Sequence, residues 1–193
     1  MTEPAAPELQ AGRLLVATPM LQDPNFDHTV VLLLDHDDDG SLGVVLNRPS
    51  PVPVQDILPD WHDLAAEPDV LFHGGPVGTD SALCLARLTR VDGQTEEPVG
   101  WRRLFEDTGI VDLDTPTELV AEAVSGLRIF AGYAGWGSGQ LEAEVEEGSW
   151  YVLPASRSDL FGHEPGRLWM QVLRRQPGEL AWVSTRPVDP TMN

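Results

Sequence analysis

Apolar residues recur along this chain in short unbroken or alternating runs more often than in helical stripes. GRLLVATP from Gly12 is a short apolar run ended by Pro19, and TVVLLLDH from Thr29 is dense in branched aliphatics and apolar on both faces. They predict two strands, the second central to a sheet. DDDGS follows as a hairpin-type turn, and SLGVVLN returns as a third strand that stops at Asn47, Arg48 and Pro49. PSPVPVQDILPDWHDLAAEPD is punctuated by prolines and predicts a loop with short helical pieces near Asp56 and from Trp61 to Ala65. VLFHGGPVGTDSALCLARL predicts two strands on either side of a Gly-Gly-Pro turn, with His73 closing the first. GWRRLFEDTGIVDL is irregular in pattern and is compatible with another strand or a helical turn.

Helical signals are fewer and clearer. In TPTELVAEAVSG, Thr115 stands as an N-cap, Pro116 at the first helical position, Glu118 in a capping box and Gly126 at the stop. Leu119, Val120, Ala123 and Val124 would form its apolar stripe. RIFAGY then predicts a strand, and glycines at 132, 135, 137 and 139 predict an irregular turn around Trp136. Ser138 or Gly139 caps a short acidic helix from Gln140 toward Glu147, with Leu141 and Val145 on one face. WYVLP reads as a strand, SRSDLF as a helical turn, and PGRLWMQVLRRQPG as a helix with Leu168, Trp169, Val172 and Leu173 inward. LAWVSTRP is compatible with a last strand or an extended tail.

The length of 193 residues, 41% hydrophobic, fits a single domain over 12–193, preceded by a Pro-, Ala- and Glu-rich tail over 1–11. Twelve Lys+Arg against 31 Asp+Glu give a net charge of −19, a field that repels nucleic-acid phosphates and anionic membrane surfaces. Direct nucleic-acid binding is disfavoured, the basic pairs Arg102–Arg103 and Arg174–Arg175 being too few to offset that field. With no apolar run of membrane-spanning length and no basic leader, a cytoplasmic location is expected. The single cysteine, Cys84, reads as a small buried hydrophobe.

No chemical motif survives a check of its spacing. A GxGxxG begun at Gly135 meets Gln140 in place of its last glycine, and GxSxG around Ser138 meets Trp136 and Gln140. Asp35, Asp37, Asp39 and Gly40 reproduce the first half of a calcium loop, but Leu46 occupies the position of the bidentate glutamate. A solvated hairpin tip is the expected role of these aspartates. HGG at His73 resembles the oxyanion loop of some esterases without the matching nucleophile elbow. No cofactor or metal is therefore expected.

The ordered series GRLLVATPMLQDPNFDHTVVLLLDH, GSLGVVLNRP, HGGPV and RIFAGYAGWGSGQLEAEVEEGSW is similar to the YqgE/AlgH family of bacterial proteins, from Gly12 to about Leu173. The resemblance implies an α+β single domain, with a mixed, mostly antiparallel sheet curled into a pseudo-barrel and helices at its periphery. Members of that family lack an established enzymatic activity. A regulatory role in alginate synthesis is attached to the family name, without a recognised DNA-binding motif. ALCLARL departs from the family pattern, in which a Leu-His pair commonly follows GGPV. Asn47, Arg48, Gln140 and Glu142 are the polar family positions that turns and packing do not explain. Together with His73 and Trp136 they form the candidate ligand or partner surface.

Three functions follow for testing. The leading one is a non-enzymatic protein that binds a protein partner or small ligand and acts indirectly in regulation. The alternative is a hydrolase-like enzyme using Asp27, His28, His36 or His73 at strand-end loops. A DNA-binding regulator ranks third.

Overall fold

The computed structural model describes residues 8–90, 93–94 and 96–185. Ten strands form one mixed sheet: β1 (Arg13–Ala17), β2 (Val30–Asp37), β3 (Gly40–Val45), β4 (Pro49–Pro53), β5 (Val70–His73), β6 (Val77–Leu88), β7 (Trp101–Phe105), β8 (Thr108–Val111), β9 (Val124–Gly137) and β10 (Trp150–Pro154). The main path runs β10-β1-β2-β3-β9-β6-β8-β7, with β5 on β9 and β4 on β5. Among the strands of the described residues, β5 and β9 alone pair in parallel, Phe72 opposite Phe130 and His73 opposite Ala131, with one isolated parallel bridge beside them from Ala65 to Leu127. The sheet curls into a half-barrel. Its far strand returns toward the beginning of the chain, where Gly12 packs against Leu104 and Phe105, and Arg102 donates to the Leu34 carbonyl.

Helices sit around this sheet: α1 (Val54–Ile57), α2 (Gln140–Glu146), α3 (Arg157–Leu160), α4 (Leu168–Arg174) and α5 (Glu179–Val183). The concave core joins Leu14, Leu32, Phe72 and Phe130 to the inward face of α4, where Leu168, Trp169, Val172 and Leu173 are buried as their spacing predicts. A second cluster lies under α2, and a third packs Trp61 and Cys84 with Leu127 and Ile129. Cys84 is fully buried, and desolvation pushes its thiol far above the ordinary range. Of the expected tail, residues 1–7 lie outside the described residues, whereas Leu9 packs against the second cluster. Among the described residues no helix is long and apolar enough to cross a membrane.

Four local expectations are corrected. The glycine-rich segment is no turn: β9 runs unbroken to Gly137, with Gly135 opposite Leu42 and Trp136 opposite Ser41. Cross-strand pairing overrides the local glycine signal, and Gly132, at φ 75°, lies where the β6–β9 register shifts between Val77 and Ala82. The Thr115–Gly126 helix shrinks to a single 3₁₀ turn over Thr117–Leu119, because Val124 and Gly126 are drawn into pairs with Leu88 and Arg87. Pro49–Pro53 is a strand and not a loop. Its prolines lack donors, so residues just outside supply the ladder, His73 N–H to Arg48 O and Val54 N–H to Asp69 O. Of the two readings kept for residues 101–111 the strand holds, as the two-stranded β7–β8 hairpin. The strand or tail expected at Leu180 is α5, stacked on α4, while 186–193 lie outside the described residues.

Three charged residues are buried among the described residues, Asp107, Asp159 and Arg128, and Arg128 reaches furthest across the fold. Arg128 on β9 is 2% exposed and donates to the carbonyls of Leu160 and Glu67, 2.5 and 2.7 Å away, with its guanidinium 4.3 Å over the Phe72 ring. Burial lowers its pKa to about 10, which leaves it charged at neutral pH. It pins the loop before β5 and the last residue of α3 onto the middle of β9.

Candidate functional site

The loop between β1 and β2 is polar, proline-containing and largely exposed, yet tightly held. Asp23 closes an Asx-type turn by accepting the Asn25 N–H at 2.8 Å, and its carbonyl accepts the N–H groups of Phe26 and Asp27. Arg48 then reaches across from the link between β3 and β4. Its Nη1 donates to the carbonyls of Pro24 (3.0 Å) and Asn25 (2.8 Å), and its Nη2 to that of Asp27 (3.0 Å). Asn47 beside it accepts the Val30 N–H at 3.0 Å and donates to the His28 carbonyl at 2.9 Å. A planar fork of donors suits three convergent carbonyls, which a single ammonium would satisfy less well.

The clamp holds an unusual conformation. His28 sits at φ 54°, a left-handed backbone that a histidine adopts rarely. Its Nδ1 lies 2.6 Å from Asp27 Oδ1, and its ring packs 4.6 Å from that of Trp169. Phe26 points inward against Trp136 and Trp150, with ring centroids 6.1 and 5.6 Å apart.

Those two indoles connect the loop to α2. Gly139, at φ 72°, turns the chain into the helix, and Ser138 Oγ donates to the Asp38 carbonyl at the β2–β3 hairpin tip, 2.6 Å away. Gln140 accepts the Gly137 N–H at 3.0 Å and donates to Glu144 Oε1 at 3.0 Å. Glu144 Oε2 accepts both indole N–H groups, from Trp136 at 2.9 Å and from Trp150 at 2.8 Å. His36 Nδ1 meets Ser41 Oγ at 2.7 Å, with Nε2 3.6 Å from Glu142 Oε1.

The HGGP segment supplies the floor. His73 N–H bonds the Arg48 carbonyl, while Gly74 bridges Val45 and Ala131, each hydrogen bond 2.8 Å long. A Cβ at Gly74 would stand 2.3 Å from the Gly132 carbonyl, and one at Gly75 2.2 Å from the Tyr133 backbone. Only glycine permits this crossing. All four sequence motifs therefore meet around the C-terminal half of β9.

The residues picked out from sequence take distinct places in this arrangement. Asn47 and Arg48 direct their polar groups into the β1–β2 loop. Trp136 is buried at 6% exposure, Trp150 at 3%. Gln140 and His73 are exposed, and the Glu142 carboxylate is open to solvent beside His36. Asp37 Oδ1 accepts the N–H groups of Asp39 and Gly40, forming the expected hairpin tip. Among the described residues no three His, Cys, Asp or Glu side chains converge as a metal set. Grooves of about 930, 520 and 270 Å³ open on the surface, and none is lined by Asp27, His28, His36 or His73. Glu144 and Arg128 were not singled out from sequence. Glu144 is marked only by its place between two tryptophans, and Arg128 only as a lone cation in an apolar strand.

An α+β half-barrel closed by such a clamped loop defines a fold class with known members. The chain matches the AlgH-like family model over residues 14–181, and it belongs to that family. It is 60% identical to a UPF0301 protein of Streptomyces coelicolor, over 94% of each chain, and 48% identical to one of Mycobacterium tuberculosis, over 98% of this chain and 94% of that one. Its fold is similar to the crystal structure of a Corynebacterium diphtheriae protein, with a TM-score of 0.87, 33% identity and 93% of each chain covered. The solution structure of AlgH from Pseudomonas aeruginosa gives a TM-score of 0.64 at 27% identity, covering 96% of this chain and 98% of that one.

Proposed function

We propose that this is a non-enzymatic cytoplasmic protein that takes a protein partner or a small ligand where the β1–β2 loop adjoins α2, and acts indirectly in regulation. One observation carries this reading: an exposed loop is fixed by three hydrogen bonds from Arg48 and two from Asn47, with His28 held in a left-handed conformation. Ordering a surface in advance lowers the entropy cost of binding, and strained residues concentrate at binding and catalytic positions. Met20, 74% exposed, extends the same face with an adaptable apolar side chain. The net charge of −19 favours a neutral or basic partner over nucleic acid. The hydrolase-like alternative rests on the 2.6 Å Asp27–His28 contact, which resembles a base with its orienting carboxylate.

A thermal-shift panel of nucleotides, common metabolites and divalent metals tests the small-ligand arm. A ligand at a hundred times its Kd adds about 2.7 kcal/mol, or roughly 5–10 °C for a chain of this size. The shift should vanish in Glu142→Ala or Asn25→Ala, both exposed changes. A shift untouched by either variant overturns the placement. Turnover of activated esters that His28→Ala abolishes would replace binding by catalysis.

A further inference from the structure

The opposite end of β9 carries a different surface. Residues 96–99 form one wall of a groove of about 930 Å³, and the segment from Glu118 to Ala123 forms the other, with Thr89 between them. Four carboxylates line it: Glu96, Glu97, Glu118 and Glu122. Only Glu97 has an ion-pair partner among the described residues, Arg103 at 2.8 Å, and no arginine or histidine lines the groove. Apolar side chains stand between the acids. Val99 is 70% exposed and Leu119 55%, two of the few large aliphatics left in solvent.

Leu119 is exposed for a reason written in the fold. A full helix over 115–126 would place it on the stripe with Val120, Ala123 and Val124. The chain instead leaves the 3₁₀ turn for β9, so that Val120 and Val124 are buried and Leu119 points out. Aliphatic side chains flanked by unpaired carboxylates match one chemistry: an amphipathic segment with cations on its edges and aliphatic residues along its centre. A bare cation would leave Val99 and Leu119 uncovered. A second copy of a chain bearing −19 charges would meet repulsion at every other acidic face.

We propose that the groove between residues 96–99 and 118–123 docks a basic amphipathic segment of a partner protein, with cations on Glu96, Glu118 and Glu122 and aliphatic side chains on Val99 and Leu119. This surface lies at the N-terminal end of β9, away from the β1–β2 loop, and stands independently of the function proposed for that loop.

The test is fluorescence anisotropy with a labelled peptide carrying lysines on one helical face and leucines on the other, titrated across salt concentrations. Glu118→Gln with Glu122→Gln should weaken binding about tenfold and flatten its salt dependence, and Leu119→Ser alone should weaken it several-fold. Circular dichroism verifies that each variant is folded. A control triple variant at the hairpin tip, Asp37→Asn, Asp38→Asn and Asp39→Asn, removes more charge and should leave binding nearly unchanged. Equal losses in the groove and hairpin variants would reduce the effect to bulk attraction and overturn the site. So would wild-type affinity in Leu119→Ser, or no binding by the native chain. A concentration-dependent dimer abolished by Leu119→Ser would overturn the basic occupant in favour of a second copy.

Discussion

The two ends of β9 treat polar side chains in opposite ways. At the C-terminal end Arg48, Asn47 and Glu144 turn inward and satisfy backbone and indole groups, so a surface loop becomes as determined as the core. At the N-terminal end Glu96, Glu118 and Glu122 face water without protein partners among the described residues, and Leu119 joins them. A polar residue in the first region is a structural member whose removal leaves something unpaired. In the second it is free chemistry. The same long strand thus ends in a fixed surface and in an open one, and substitutions should separate them by their effect on stability.

Arg128, between the two ends, gives the largest expected effect. Arg128→Ala removes donors from the carbonyls of Leu160 and Glu67 and leaves a void over Phe72. The loss should be on the order of 4 kcal/mol, lowering the thermal midpoint by roughly 8–16 °C. Urea denaturation measures it directly. A loss near zero would mean that water reaches this part of the sheet, and the two ends would no longer be joined by a rigid centre.

Glu144 comes next. Glu144→Ala orphans two buried indole N–H groups at once and should cost about 3 kcal/mol, with tryptophan emission shifting to the red as α2 loosens. Glu144→Gln keeps a side-chain carbonyl and should cost about 1 kcal/mol. If the alanine variant is as stable as the native chain, the C-terminal end is no more determined than the other, and the contrast fails.

Much of this was legible in sequence, and what was not shares a cause. The β2–β3 hairpin, the acidic helix after Gly139 and the inward face of α4 follow from patterns within a dozen residues. The errors fall where distant pairing competes with a local signal. Glycines 132–137 look like a turn until β3 and β6 pair with them, and the capping signals at Thr115 are sound until β6 claims Val124. The same holds for the site. Asn47 and Arg48 stood out as polar motif residues, but their targets lie 17 to 24 positions away along the chain. Among four neighbouring glutamates, only the fold selects Glu144, the one whose carboxylate meets both indoles.

The smallest expected effect is the most discriminating. Leu119→Ser replaces a side chain that is 55% exposed, on a segment where the backbone is held by its own turn and by the entry into β9. Substitutions at such surface positions usually change stability by no more than about 0.5 kcal/mol, and that is the expected result in urea. Because little is lost on folding, any weakening of peptide binding in this variant reports contact and not damage. A destabilisation above about 1 kcal/mol would mean that Leu119 is covered by its own chain in solution, since only burial makes an aliphatic truncation so costly. The N-terminal end of β9 would then be closed like the other, with its carboxylates forming the rim of a core and not of a groove.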